Sequence, residues 1–244
     1  MNFTYDSYCS LLSLIKQNGY DITDYNDWES KRRCVVLRHD VDNDLSKALK
    51  LAQVEQSQGV KSTYFVLVTN DLYNIFSKDN RKKILEIIKC GHQIGLHFDE
   101  MSYPMQIGSY NEICEKILYE AKILEMVTEK PVKVVSMHRP SKEILVEKLT
   151  IPGMINAYGS PYFDEFKYLS DSRRHWREPV EQIVASAQYD RLQILTHAFW
   201  YNEEEKDIHD TVKLFINSAN RQRYETYGEN FTELASVMGI NEIC

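Results

Sequence analysis

Long apolar runs are missing from this sequence: none approaches the roughly 20 residues that a membrane-spanning helix needs. Cysteine is sparse and follows no pairing pattern. Cys9, Cys34, Cys90, Cys114 and Cys244 make an odd count of 5 with no C-x-x-C pair. That argues against a disulfide framework and reads as reduced, incidental thiols. A cationic excess is absent too. The formal net charge of -7 speaks against a general nucleic-acid or anionic-membrane surface, though a local basic patch is compatible with it. No internal repeat, low-complexity tract or linker interrupts the chain, so one domain over residues 1–244 is expected. The opening Met1-Asn2-Phe3-Thr4-Tyr5-Asp6 has neither a basic n-region nor an apolar h-region, which predicts a cytoplasmic protein.

What is present is ordinary for a folded α/β protein. The 244 residues are 43% hydrophobic and 27% charged, enough for one large domain and against disorder. The central stretch is Cys34-Val35-Val36-Leu37-Arg38-His39-Asp40-Val41-Asp42. Its apolar half suits a strand covered on both faces, and it ends abruptly in charge. Asp40 and Asp42 are two residues apart, so on an extended backbone both carboxylates point to one side. Such crowding is costly unless a metal or a shared proton relieves it. The bland alternative is a polar strand end before an Asp helix cap, with Asp44 as that cap.

Strands and helices then alternate. Helical periods are expected over 3–18, 45–58, 81–89, 110–127, 141–149, 180–187 and 203–237, and strands over 34–39, 62–68, 93–99, 132–137 and 192–196. Residues 20–30 read as a connection and 150–178 as the least regular region. Alternation of this kind demands parallel strands with right-handed crossovers. In a barrel of parallel strands the C-terminal tips converge on one mouth. The tips here are polar: Asp40 and Asp42, His97 and Asp99, His138 and Arg139, and His197. His39, between Arg38 and Asp40, would face away from the carboxylates and reads as a buried structural histidine.

The motifs also come in a familiar order. After the Asp-x-Asp tip come Ser-Thr-Tyr-Phe-Val at 62–66 and Gly-His-Gln-Ile-Gly-Leu-His at 91–97, then Arg139-Pro140 and Leu195-Thr196-His197. This resembles the polysaccharide deacetylase family, the NodB-homology carbohydrate esterases, and within it a branch opening on Arg-His-Asp-Val-Asp. The likeness covers roughly residues 34–200. It implies a distorted (β/α) barrel of about seven parallel strands. It also implies metal-dependent hydrolysis of a carbon–nitrogen amide bond outside peptides, removing the acyl group from an amino sugar or glycan precursor. By position, Asp40 would be the general base, Asp42 and His97 metal ligands, Arg139 the group that orients the base, and His197 the general acid. The family's second metal histidine falls on Met101, which is no ligand for a hard or borderline ion. Asp99 is the nearest substitute, with Glu100 and His138 as further candidates.

The cofactor implied is a divalent metal, Zn²⁺ foremost, with Co, Fe, Mn and Ni as the other ions such donors accept. His138, Pro140, Asp171, Trp176 and Trp200 are expected to touch substrate. Phe199, Trp200 and Tyr201 fit sugar stacking and core packing equally well. The expected partner is a small-molecule or glycan substrate, with no nucleic acid and no membrane insertion; the oligomeric state is left open. Two rival readings stand beside the deacetylase: a catalytically silent relative that binds carbohydrate or protein, and a barrel hydrolase of a non-sugar amide or ureide.

Overall fold

Among the described residues eight strands pair, all in parallel, which puts their polar C-terminal tips at one end. The computed structural model describes residues 1–103, 110–147 and 149–243. The strands are β1 (Asp21–Thr23), β2 (Cys34–Val41), β3 (Thr63–Leu67), β4 (Gln93–Phe98), β5 (Val134–Met137), β6 (Ile155–Asn156), β7 (Lys167–Ser170) and β8 (Arg191–Thr196). Seven of them run in the order β6-β5-β4-β3-β2-β8-β7, and β1 pairs with the first half of β2 below the point where β3 joins it. The sheet curls into a distorted, incomplete (β/α) barrel. Among the described residues no pairing joins β6 to β7, so the ring stays open there.

Connecting helices cover the outside: α1 (Tyr5–Gln17), α2 (Leu45–Ser57), α3 (Lys78–Lys89), α4 (Tyr110–Thr128), α5 (Lys142–Glu147) and α6 (Val180–Ser186). Asp44 caps α2, its side chain accepting from the Ser46 amide at 2.7 Å. The strand period of two divides β2 cleanly. Val35, Leu37 and Val41 join the core under the helices, each burial worth about 1.5–3 kcal/mol. Cys34 and Val36 face inward, with Phe65, Val134, Tyr25, Trp28 and Tyr162, and plug the lower half of the barrel. Gly95 makes room for that plug: a Cβ there would lie 2.6 Å from the Phe65 ring.

His39 faces outward, as expected, and belongs to a buried polar cluster under α2. Glu55, fully buried, accepts from Tyr8 Oη at 2.6 Å, Ser62 Oγ at 2.6 Å and Tyr64 Oη at 2.8 Å. His39 Nε2 lies 3.0 Å from the same carboxylate, and its Nδ1 lies 2.6 Å from Thr196 Oγ1. Burial pushes the Glu55 carboxyl up, but the charge and hydrogen bond of His39, with His92 and Ser62, outweigh this and bring it down to about 2.

Two regions depart from expectation. The connection 20–30 contains β1, and the irregular stretch 150–178 contains β6 and β7. These strands have 3, 2 and 4 residues, too short for a period of two to declare itself. The helix expected over 141–149 is observed as α5 over 142–147; residue 148 lies outside the described residues. Cys9, Cys34, Cys90 and Cys114 are free thiols, and Cys244 lies outside the described residues. Among the described residues no helix is long and apolar enough to cross a membrane.

The chain divides into two compact units, Met1–Glu203 and Glu204–Cys244. The first holds all eight strands. The second is α7 (Ile208–Asn230) and α8 (Leu234–Val237), tied by a hydrogen bond from Tyr224 Oη to the Met238 carbonyl at 2.6 Å. Asp207 caps α7 through the Asp210 amide at 2.7 Å.

Candidate active site

Parallel pairing carries the polar tips to one end of the barrel. β2 supplies Asp40 and, one residue past its end, Asp42; β4 supplies His97. His138 and His197 directly follow β5 and β8, and Asp171 follows β7. Asp40, Asp42, His97, His138 and His197 line one cavity of about 920 Å³.

Three of these groups point donor atoms at one spot. Asp42 Oδ1 lies 3.2 Å from His97 Nε2 and 3.4 Å from His138 Nδ1, and the two ring nitrogens are 3.1 Å apart. His97 Nδ1 lies 3.1 Å from the Ser136 carbonyl. A carbonyl can only accept, so Nδ1 carries the proton and the Nε2 lone pair faces Asp42. Asp42 Oδ1 is buried and lacks a hydrogen-bond partner. An orphaned buried carboxylate oxygen facing two imidazole nitrogens is a site that wants a cation. Burial pushes the Asp42 carboxyl up, but His138, His97 and the charge of His197 hold it well below the usual range. The donor set, one carboxylate and two imidazoles, fits a divalent ion such as Zn²⁺ with an open position.

Asp40 stands beside this cluster, its Oδ2 3.6 Å from His97 Nε2. Its own partner is Arg38, two residues back on the same face of β2. Arg38 Nη2 donates to Asp40 Oδ1 at 2.8 Å and Oδ2 at 2.9 Å, and also to Ser136 Oγ. The Arg38 side chain is fully buried between the rings of Phe65 and Tyr158, with its guanidinium carbon 4.9 and 5.1 Å from their centroids.

His197 is held from behind. Its Nδ1 lies 2.6 Å from Asp171 Oδ1, and its backbone amide donates to the same carboxylate at 3.0 and 3.2 Å. Asp171 is completely buried and also accepts from Tyr201 Oη at 3.3 Å. Nε2 is left facing the cavity, 3.8 Å from Asp42 Oδ2. Burial alone would lower the imidazole pKa, but the hydrogen bond and charge of Asp171, with Asp42 and Asp40, raise it to about 9.

The structure thus brings together Asp40, Asp42, His97, His138 and His197. It places other expected site residues elsewhere. Asp99 lies just past the end of β4 at Phe98 with its backbone still extended, but its Oδ1 accepts from the Met101 amide at 3.0 Å and caps a short turn. Arg139 is exposed on the cavity rim, and the cation at Asp40 is Arg38. Asp171, expected to touch substrate, lies behind His197. Trp176 packs partly buried against the core, whereas Pro140 and Trp200 line the cavity. The rule that paired Asp40 with Asp42 also applies to Arg38, and the strand-tip rule that singled out His97 applies to His138. Both signals were therefore present in the sequence.

No family model matches the chain, and no curated protein matches it. Solved structures do resemble it. The chain is similar to a CE4 family pseudoenzyme from Bacillus anthracis at 16% identity and a TM-score of 0.45, covering 79% of this chain and 62% of that one. It is similar to a family 4 carbohydrate esterase from Bacillus anthracis at 16% identity and a TM-score of 0.46, covering 84% and 82%. A third likeness is the peptidoglycan deacetylase PdaC from Bacillus subtilis, at 15% identity, a TM-score of 0.46, and coverage of 86% and 98%. The chain spans about three fifths of the pseudoenzyme's length.

Proposed function

We propose that this chain is a metal-dependent hydrolase of carbon–nitrogen amide bonds outside peptides, removing the acetyl group from an amino sugar or glycan precursor. The observation that carries the reading is the convergence of Asp42 Oδ1, His97 Nε2 and His138 Nδ1 beside Asp40, with His197 across the cavity. Asp42, His97 and His138 would hold the ion. When bound, a divalent ion there polarises the amide carbonyl and offsets charge developing on its oxygen.

The chain's own groups account for the proton transfers. Asp40, fixed through both oxygens by Arg38, takes the proton of the attacking water. His197 donates from Nε2 to the departing nitrogen, which is a poor leaving group until protonated. Asp171 keeps that ring oriented and charged while buried. Tyr158, Phe163 and Tyr168 form an aromatic wall of the cavity, with ring centroids 5.7–6.2 Å apart, against which a sugar ring can stack.

The test has two parts. Elemental analysis of protein dialysed against Zn²⁺ should give one ion per chain. Acetate release from N-acetylated sugars should then fall about 10²- to 10⁴-fold in Asp40→Asn with the metal retained. A metal-free protein, or undiminished acetate release by Asp40→Asn, would refute the assignment.

A further inference from the structure

We propose that the substrate carries an anionic group, a phosphate or a carboxylate, and that Arg139, Arg173 and Arg177 bind it. The location builds on the hydrolase reading above, since these residues line the same cavity, but the charge argument is separate. Arg139 follows β5, and Arg173 and Arg177 follow β7, so two loops bring three guanidinium groups to one rim. The protein as a whole has a formal charge of -7, so this local concentration of cations runs against its average.

Neighbouring carboxylates do not balance them. The carboxylates lining the cavity are Asp40, Asp42 and Glu178. Asp40 is paired with Arg38, and Asp42 faces the imidazoles. Glu178 is bound by Lys167 Nζ at 2.6 and 2.7 Å. Among the described residues none of the three arginines lies within ion-pairing distance of a carboxylate. Arginine presents a planar fork that matches phosphate and carboxylate oxygens, which a neutral sugar does not offer.

The backbone adds a second observation. Arg139 has φ 48° and Arg173 has φ 59°, in the left-handed region where a side chain is strained. Arg139 also precedes a proline, which narrows its choices further. Glycine or asparagine would take either conformation at lower cost. Two arginines held this way at the rim of one cavity point to use of their side chains.

Calorimetric titration of the Zn²⁺-treated Asp40→Asn variant tests this without turnover. The probes are N-acetylglucosamine, its 6-phosphate, and N-acetylmuramic acid, which carries a carboxylate. At least one charged sugar should bind about tenfold or more tighter than the neutral one, because a charge-assisted hydrogen bond is worth at least that much. Which of the two wins separates phosphate from carboxylate. The preference should shrink in 0.5 M salt and vanish when Arg139, Arg173 and Arg177 are all replaced by Ala. These side chains are exposed, and circular dichroism of the variant checks that the fold is kept. Equal binding of charged and neutral sugars, or a preference that survives the triple replacement, overturns the proposal. Acetate release by the wild-type chain is scored apart. Charge preference without acetate release would sink the hydrolase and leave the anion site. Release from the neutral sugar with no preference would do the reverse.

Discussion

Asp171 shows how one residue can be seen in the sequence and misjudged there. Its place within the irregular region 150–178, loosely like a family motif near the site, suggested contact with substrate, yet it is buried behind His197 and bonds both the ring and the backbone amide of that residue. If His197 acts as the acid, activity should hold up to about pH 9 and fall above it, as the imidazolium loses its proton. Asp171→Asn removes the charge that raises this pKa. The alkaline limb of the kcat profile should then move to lower pH, and kcat at neutral pH should drop about 10²- to 10⁴-fold. An unmoved limb would show that Asp171 does not tune His197. Arg38 is the complementary case. A buried arginine is rare enough that its place two residues before Asp40 reads, in hindsight, as a partner to that carboxylate.

At the scale of elements, the strand–helix alternation was legible because five strands are long enough to show an apolar run, and four of these end in carboxylate or imidazole groups. β1, β6 and β7 were not, since pairing with neighbours rather than local pattern makes them strands. The seating of α2 on β2 and β3 was equally hidden: nothing in the local pattern around Glu55 announces that Tyr8, His39, Ser62 and Tyr64 gather on it. That cluster makes stability depend on acid. The Glu55 carboxyl titrates at about 2 when folded and near 4.5 when unfolded, so its contribution is complete above the unfolded value and is lost as pH falls toward 2. The difference corresponds to about 3 kcal/mol. Urea unfolding should show Glu55→Gln weaker by about that amount at pH 7, with the gap to wild type closing at low pH. A gap that stays constant with pH would mean that packing, not charge, is what the substitution removes.

For the molecule as a whole, the sequence announced a single mouth but not its full set of ligands. The expected third donor was Asp99, which stays extended past His97 but spends its carboxylate on capping the next turn, and His138 stands beside His97 from the end of β5. An ion held by Asp42, His97 and His138 would couple binding to folding across β2, β4 and β5. Zn²⁺ at 100 times its dissociation constant should stabilise the protein by about 2.7 kcal/mol, seen as a rise in Tm. His138→Ala should abolish that rise, whereas Asp99→Ala should keep it. The opposite pattern would return the third position to Asp99.

Because every described strand runs the same way, the rim opposite the mouth is free of the proposed chemistry. Gln188 and Tyr189 are exposed in the turn that leads into β8 at that far rim. A surface tether attached at Gln188 would hold the barrel by the end away from its cavity.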